Sequence, residues 1–125
     1  MSFSEQIVFV YVLDLERAAK FYGDVLGLRL VLDQGGCRIY QVAGSAYLGI
    51  CDRQERAGIE GSLVTLVTQD VDQWFEKLVA AGAEIIRPPQ HTEEYQIYNF
   101  FARDPDGNRL EIQRFDDPSW KVADA

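Results

Sequence analysis

Few side chains in this sequence could do chemistry, and the acid best placed for it is Glu111. It stands in Arg109-Leu-Glu-Ile-Gln-Arg-Phe115, directly after Asp104-Pro105-Asp106-Gly107. Proline presets φ at the second position of a turn, aspartate bonds its own backbone, and glycine takes the positive φ of a bulged hairpin, so strands must flank this stretch. Alternation along the second strand puts Leu110 and Ile112 on one face and Arg109, Glu111 and Gln113 on the other. Glu111 then points into whatever the sheet encloses. There it would pair with Arg109 or a cavity hydroxyl, fix a ligand, or act as a solitary general base whose pKa is raised by apolar surroundings. On this reading it matters to a ligand more than to folding.

Other reactive groups are sparse. The single histidine, His91, lies in Gln90-His-Thr-Glu-Glu94, which reads as an exposed loop, with a ligand-facing role as the alternative. Two cysteines, Cys37 and Cys51, are too few for a disulfide framework. With Ala43-Gly44-Ser45-Ala46 as a tight hairpin turn, Cys37 falls opposite Asp52 and Cys51 opposite Arg38. The thiols then occupy opposite faces, which argues against a bond, although a longer loop would change the register. No nucleophile-base-orienter triad is visible, and Gly35-Gly36 lacks the context of a phosphate-cradling loop.

The elements that position these residues must fit into 125 residues, 47% hydrophobic and 26% charged, which suits one domain with a real core. A net charge of -8 argues against nucleic acid or an anionic membrane as partner and favours cationic or neutral ligands. No apolar run approaches membrane-spanning length, and the N-terminal residues lack a signal-peptide pattern, so a cytoplasmic location is expected.

Ile7 to Leu13, β-branched and aromatic, reads as a strand. Asp14 is a candidate N-cap for a helix carrying Leu15, Ala18, Ala19, Tyr22, Val25 and Leu26 at helical spacing, stopped by Gly27. Strands are expected at Leu28 to Leu32, Cys37 to Val42 and Tyr47 to Cys51, making βαβββ over residues 5–52. Residues 53–61, polar and glycine-containing, read as a linker. The pattern then restarts over 62–115. Leu63 to Thr68 is a strand, Asp70 or Asp72 caps a helix bearing Val71, Trp74, Phe75, Leu78 and Val79, and Ala83 to Ile86 is the next strand. Pro88-Pro89 should break the chain, with Gln90 to Tyr95 a loop before Gln96 to Ala102 hairpins onto Arg109 to Phe115. Residues 116–125 form a tail.

The halves superpose: Asp14 over Asp70, Leu26-Gly27-Leu28 over Ala81-Gly82-Ala83, and Tyr47-Leu-Gly-Ile-Cys51 over Arg109-Leu-Glu-Ile-Gln113. Gly49 is thus the counterpart of Glu111. On the segments Asp14-Leu-Glu-Arg-Ala-Ala-Lys-Phe-Tyr-Gly-Asp-Val-Leu-Gly-Leu28 and Phe101 to Ile112, the chain resembles the vicinal oxygen chelate superfamily. That superfamily includes glyoxalase I, extradiol dioxygenases, fosfomycin-resistance enzymes and bleomycin-resistance proteins. The resemblance implies an α+β fold of two tandem βαβββ modules, their curled mixed sheet enclosing a cavity, in a homodimer.

It also implies where a divalent ion would sit, on the first strand of each module and the last strand of one or both. Those positions fall on Ile7, Leu63, Gly49 and Glu111. Only the last can donate, whereas a stable site normally needs three or more donors. The resemblance therefore implies a protein with no metal, the alternative being a divalent ion involving Glu111. Alternation and simple hairpin register place Phe9, Tyr11, Thr65, Tyr98, Phe100 and Gln113 around the cavity with Glu111, and Tyr40 and Tyr47 inward from the first module. Such a π-rich lining suits a small organic molecule. The expected function is sequestration of an aromatic or cationic compound, in the manner of bleomycin-resistance proteins. The alternatives are a glyoxalase- or dioxygenase-like lyase or oxidoreductase and an accessory domain that binds nothing. Trp120 would cap the cavity or pack across a dimer interface.

Overall fold

Two βαβββ units follow one another, giving the expected α+β architecture, and the computed structural model describes residues 1–58 and 61–120. The expected linker at 53–61 and tail at 116–125 therefore lie partly outside the described residues. Each unit carries its own mixed four-stranded sheet.

In the first unit, β1 (Gln6–Val12) leads into α1 (Leu15–Ala19), and β2 (Arg29–Asp33), β3 (Cys37–Ala43) and β4 (Ala46–Asp52) follow. The strand order is β1-β4-β3-β2, with β1 parallel to β4 and the other pairs antiparallel. Asp14 caps α1 as its position suggested, its carboxylate accepting from the Arg17 N–H at 3.1 Å. Beyond Ala19 the helix widens into a π turn over Lys20–Val25 and stops at Gly27, whose φ of 71° only glycine adopts freely. Val10, Val12, Ala18, Phe21, Tyr22, Leu48 and Ile50 are buried and form the core of this unit.

The hairpin between β3 and β4 departs from the expected register. Ala43 pairs with Ala46, but the ladder then skips Val42, so Gln41 pairs with Tyr47. This one-residue bulge puts Cys37 opposite Cys51, Cα atoms 4.2 Å apart, and the two form a disulfide. The expectation of separated thiols is thereby overturned. Tyr40 also moves: it is 3% exposed and packs beside Gly23 on the helix-covered face, not the open one.

The second unit comprises β5 (Val64–Val67), α2 (Val71–Ala80), β6 (Glu84–Thr92), β7 (Ile97–Arg103) and β8 (Arg109–Phe115), ordered β5-β8-β7-β6. Asp70 holds the N-cap position of α2 without a side-chain cap bond, and its own N–H donates to Thr68 Oγ1 at 3.0 Å. Val71 and Leu78 are buried, and Phe75 meets Phe100 edge-to-face with ring centres 5.4 Å apart. Such a pair adds about 0.5–1.5 kcal/mol beyond its burial.

Two further expectations are corrected here. β6 runs through Pro88-Pro89 to Thr92 instead of breaking, because it is an edge strand and the prolines sit in an irregular stretch between the Arg87–Phe101 and Gln90–Asn99 pairs. His91 accordingly belongs to a strand, although exposed as expected. Between β7 and β8 the loop spans 104–108, closed by the Asp104 N–H donating to the Asn108 carbonyl at 2.9 Å. Arg103 therefore pairs with Arg109, Phe101 with Glu111 and Asn99 with Gln113. A slip of one residue exchanges the faces of a strand. Tyr98 and Phe100 consequently face α2: the Tyr98 hydroxyl donates to Asp72 at 2.6 Å, and Phe100 is fully buried.

Candidate functional site

The open face of the second sheet is built by alternation. On β8 it receives Arg109, Glu111 and Gln113, and on β7 Ile97, Asn99 and Phe101; β5 adds Thr65 beside Glu111 through the parallel register. A cavity of about 560 Å³ lies on this face. Leu63, Tyr95, Ile97, Phe101 and Phe115 give it apolar walls, and Arg87, Asn99, Glu111 and Gln113 are among its polar residues. Its size and make-up are those of a small-molecule site.

At its base lies a hydrogen-bonded chain. Glu111 is 8% exposed, and its two oxygens each accept a bond at 2.8 Å, one from Thr65 Oγ1 and the other from Asn99 Nδ2. Asn99, 2% exposed, spends its Oδ1 on Arg87 Nη2 at 2.7 Å and on Thr92 Oγ1 at 3.3 Å. Arg87 Nη1 donates to the carbonyls of Asn99 and Pro88, and the guanidinium stands 5.0 Å from the centre of the Phe101 ring. Burial pushes the Arg87 pKa below its ordinary value, opposed by the negative charge of Glu111. Each carboxylate oxygen thus holds one hydrogen bond, one from a hydroxyl and one from an amide. Arg109 is not its partner: that guanidinium lies 5.7 Å from the centre of the Phe101 ring, its buried Nε without an acceptor among the described residues.

Of the residues singled out from sequence, Glu111, Thr65 and Gln113 come together here. Tyr98, Phe100 and Tyr40 lie on helix-covered faces. Phe9, Tyr11 and Tyr47 share the open face of the first sheet, where Phe9 pairs with Gly49, Tyr11 with Cys51 and Tyr47 with Ile7. The Phe9 ring lies across Gly49, in the space a Cβ would need. Where the second unit has Thr65 and Glu111 side by side, the first has Phe9 and Gly49. Arg87, Asn99, Phe101 and Phe115 were missed. The length of the 104–108 loop was the available signal for Asn99 and Phe101. Trp120 stacks on Phe115, ring centres 3.8 Å apart and planes 15° apart, so it backs a cavity wall. His91 stands elsewhere, its ring 4.7 Å from that of Tyr98 and its Nδ1 3.6 Å from an Asp116 oxygen.

A glyoxalase/bleomycin resistance protein/dioxygenase superfamily model matches residues 6–112. The chain belongs to that superfamily. Among solved structures it is similar to TioX from Micromonospora sp. ML1, at 24% identity over 89% of this chain and 98% of that one, with a TM-score of 0.74. It is also similar to a lactoylglutathione lyase from Agrobacterium tumefaciens, at 24% identity over 87% and 91% and a TM-score of 0.70. A glyoxalase/bleomycin resistance protein/dioxygenase from Nocardioides matches at 18% identity over 100% and 91%, with a TM-score of 0.74. At these identities the likeness is one of fold. No curated protein matches the chain.

By the resemblance described above, a divalent ion would take its ligands from the positions of Ile7, Gly49, Leu63 and Glu111. The residues present do not fit such an ion. Three of the four lack a donor side chain, and both Glu111 oxygens already accept bonds next to a guanidinium that would repel a cation. Among the described residues no group of three or more His, Cys, Asp and Glu side chains is arranged to hold a metal.

Proposed function

We propose that this superfamily member binds a small aromatic organic molecule in the cavity of its second unit, without a resident metal and without transforming the ligand. The observation that carries this reading is the contrast within the cavity: apolar and aromatic walls around an acid whose oxygens are both occupied by Thr65 and Asn99. A general base must take a substrate proton on a carboxylate oxygen, and here each oxygen already holds one hydrogen bond, from Thr65 or Asn99. The same engagement, with Arg87 alongside, weakens the case for a cationic ligand. Sequestration, the role expected by resemblance to bleomycin-resistance proteins, requires only shape, apolar contact and a few polar fixers.

Assembly as a homodimer belongs to the same proposal. The first sheet exposes Ile7, Phe9, Leu30 and Leu32, each more than two-fifths accessible, and both sheets end in open edge strands. Equilibrium sedimentation at micromolar concentration should give twice the chain mass; a single chain mass at all concentrations would refute that part.

A thermal-shift screen of planar aromatic compounds, followed by calorimetric titration of the best hit, tests the binding reading. The expected result is saturable one-to-one binding, recovery of the compound unchanged by mass spectrometry, and no stoichiometric divalent metal by elemental analysis. Turnover of the compound, or about one equivalent of metal retained after dialysis and lost in Glu111→Ala, would overturn it.

A further inference from the structure

Arg87 lines the cavity and has donors to spare. Of its five N–H groups, two on Nη1 serve the carbonyls of Pro88 and Asn99, and one on Nη2 serves Asn99 Oδ1 at 2.7 Å. One N–H on Nε and one on Nη2 have no acceptor among the described residues. Nε and Nη2 form the edge with which a guanidinium forks onto the two oxygens of a carboxylate. The bonds to Asn99 and Pro88 and the Phe101 ring beneath hold the group in place, so little order need be imposed when a ligand arrives.

Charge on this face points the same way. Two guanidiniums, Arg87 and Arg109, lie near the Phe101 ring, and the carboxylate that lines the cavity among the described residues, Glu111, is bonded through both oxygens. A chain of net charge -8 thus presents a guanidinium at this apolar-walled cavity. Leu63, Ile97 and Phe115 offer contact area for a hydrophobic body.

Resting on the binding reading above, we infer that the ligand is an aromatic carboxylate, its ring against the apolar walls and its carboxylate forked onto the free edge of Arg87. A planar monoanion matches one guanidinium edge. A phosphate dianion would bring more charge close to Glu111 than a single arginine offsets. Arg87 is therefore the specificity-determining residue of the site, and Asn99 positions it.

The test uses three matched probes, naphthalene-2-acetate, its neutral amide and 2-naphthylmethylamine, titrated by calorimetry into the full chain. Wild type should bind the carboxylate at least tenfold more tightly than either of the others. In Arg87→Met the carboxylate-to-amide preference should collapse to near one. In Arg87→Lys, which keeps the charge but not the fork, an intermediate preference should remain. Circular dichroism of both variants establishes that they are folded; a wild-type salt titration, in which the carboxylate should lose affinity more steeply than the amide, gives a readout independent of any variant. Amide or amine binding as tightly as the carboxylate would overturn the inference while leaving the aromatic-binding reading standing. If none of the three binds, both fall.

Discussion

Glu111→Gln measures how much of the second sheet depends on its buried acid. A residue facing away from Leu110 and Ile112 should cost folding less than about 1 kcal/mol on sequence grounds, but the hydrogen bonds in the structure raise that figure. In the variant the new amide can accept from Asn99 Nδ2 and donate to Thr65 Oγ1, whose hydroxyl can reverse. Asn99 itself cannot flip, because its Oδ1 holds Arg87. Both bonds survive in geometry, yet each changes from charge-assisted to neutral, a loss of about 1 kcal/mol apiece. Arg87 also loses a nearby opposite charge; because it is only part-buried, solvent screening limits that cost to under about 1 kcal/mol. The expected destabilisation is about 2–3 kcal/mol, or roughly 6–12 °C in Tm for a chain of this length. Urea unfolding of Glu111→Gln, Thr65→Val and the double variant would show it, with the double variant about 1 kcal/mol more stable than additivity predicts. A Glu111→Gln protein within about 0.5 kcal/mol of wild type, with additive singles, would refute the reasoning and show the carboxylate to be satisfied by water.

Three other measurements probe different parts of the molecule. Thiol titration of unreduced, denatured protein should find no free cysteine, and replacing both Cys37 and Cys51 by serine should cost about 2–3 kcal/mol for a loop of this length; two reactive thiols would contradict the pairing. Gly49→Ala should cost about 1 kcal/mol by displacing the exposed Phe9 ring, and adding Phe9→Ala should remove the penalty of the new methyl group; unchanged stability in Gly49→Ala would mean that the ring does not rest there. The Tyr98 phenol is pushed above its ordinary pKa chiefly by its bond to Asp72 and further by burial, so it should be among the late-ionising tyrosines in an alkaline absorbance titration and vanish from it in Tyr98→Phe. With the folded pKa raised, its contribution to stability is complete below about pH 10 and is lost as pH rises through the folded value; a Tyr98 that ionises with the free amino acid would sink this.

Local signals in the sequence were strong enough to place nearly every element. Asp14 and Gly27 bracket the first helix, Gly82 ends the second, and the repeated strings predict the two βαβββ units. The misplaced residues trace to single-residue events that leave local chemistry unchanged. A strand face has a period of two, so the bulge at Val42 and the longer loop at 104–108 each transfer a whole strand's side chains to the opposite face. Tyr98 and Phe100 thereby exchange places with Asn99 and Phe101. Arg87 was hidden for another reason: Pro88-Pro89 reads as a break unless the strand is known to be at an edge, and edge position is a property of the whole sheet.

The Cys37–Cys51 bond has a consequence for how the first hairpin finds its partner. Because Val42 is an extra residue, β3 has two nearby ways to lie along β4, differing by one position and by the face each side chain takes. In the slipped arrangement the thiols point away from each other and cannot react; in the native one they are opposite. Formation of the bond by an external oxidant would therefore select the bulged register. A misaligned hairpin stays reduced and free to re-pair, whereas an aligned one is sealed, and the open face carrying Ile39, Tyr47 and Gly49 is locked in with it.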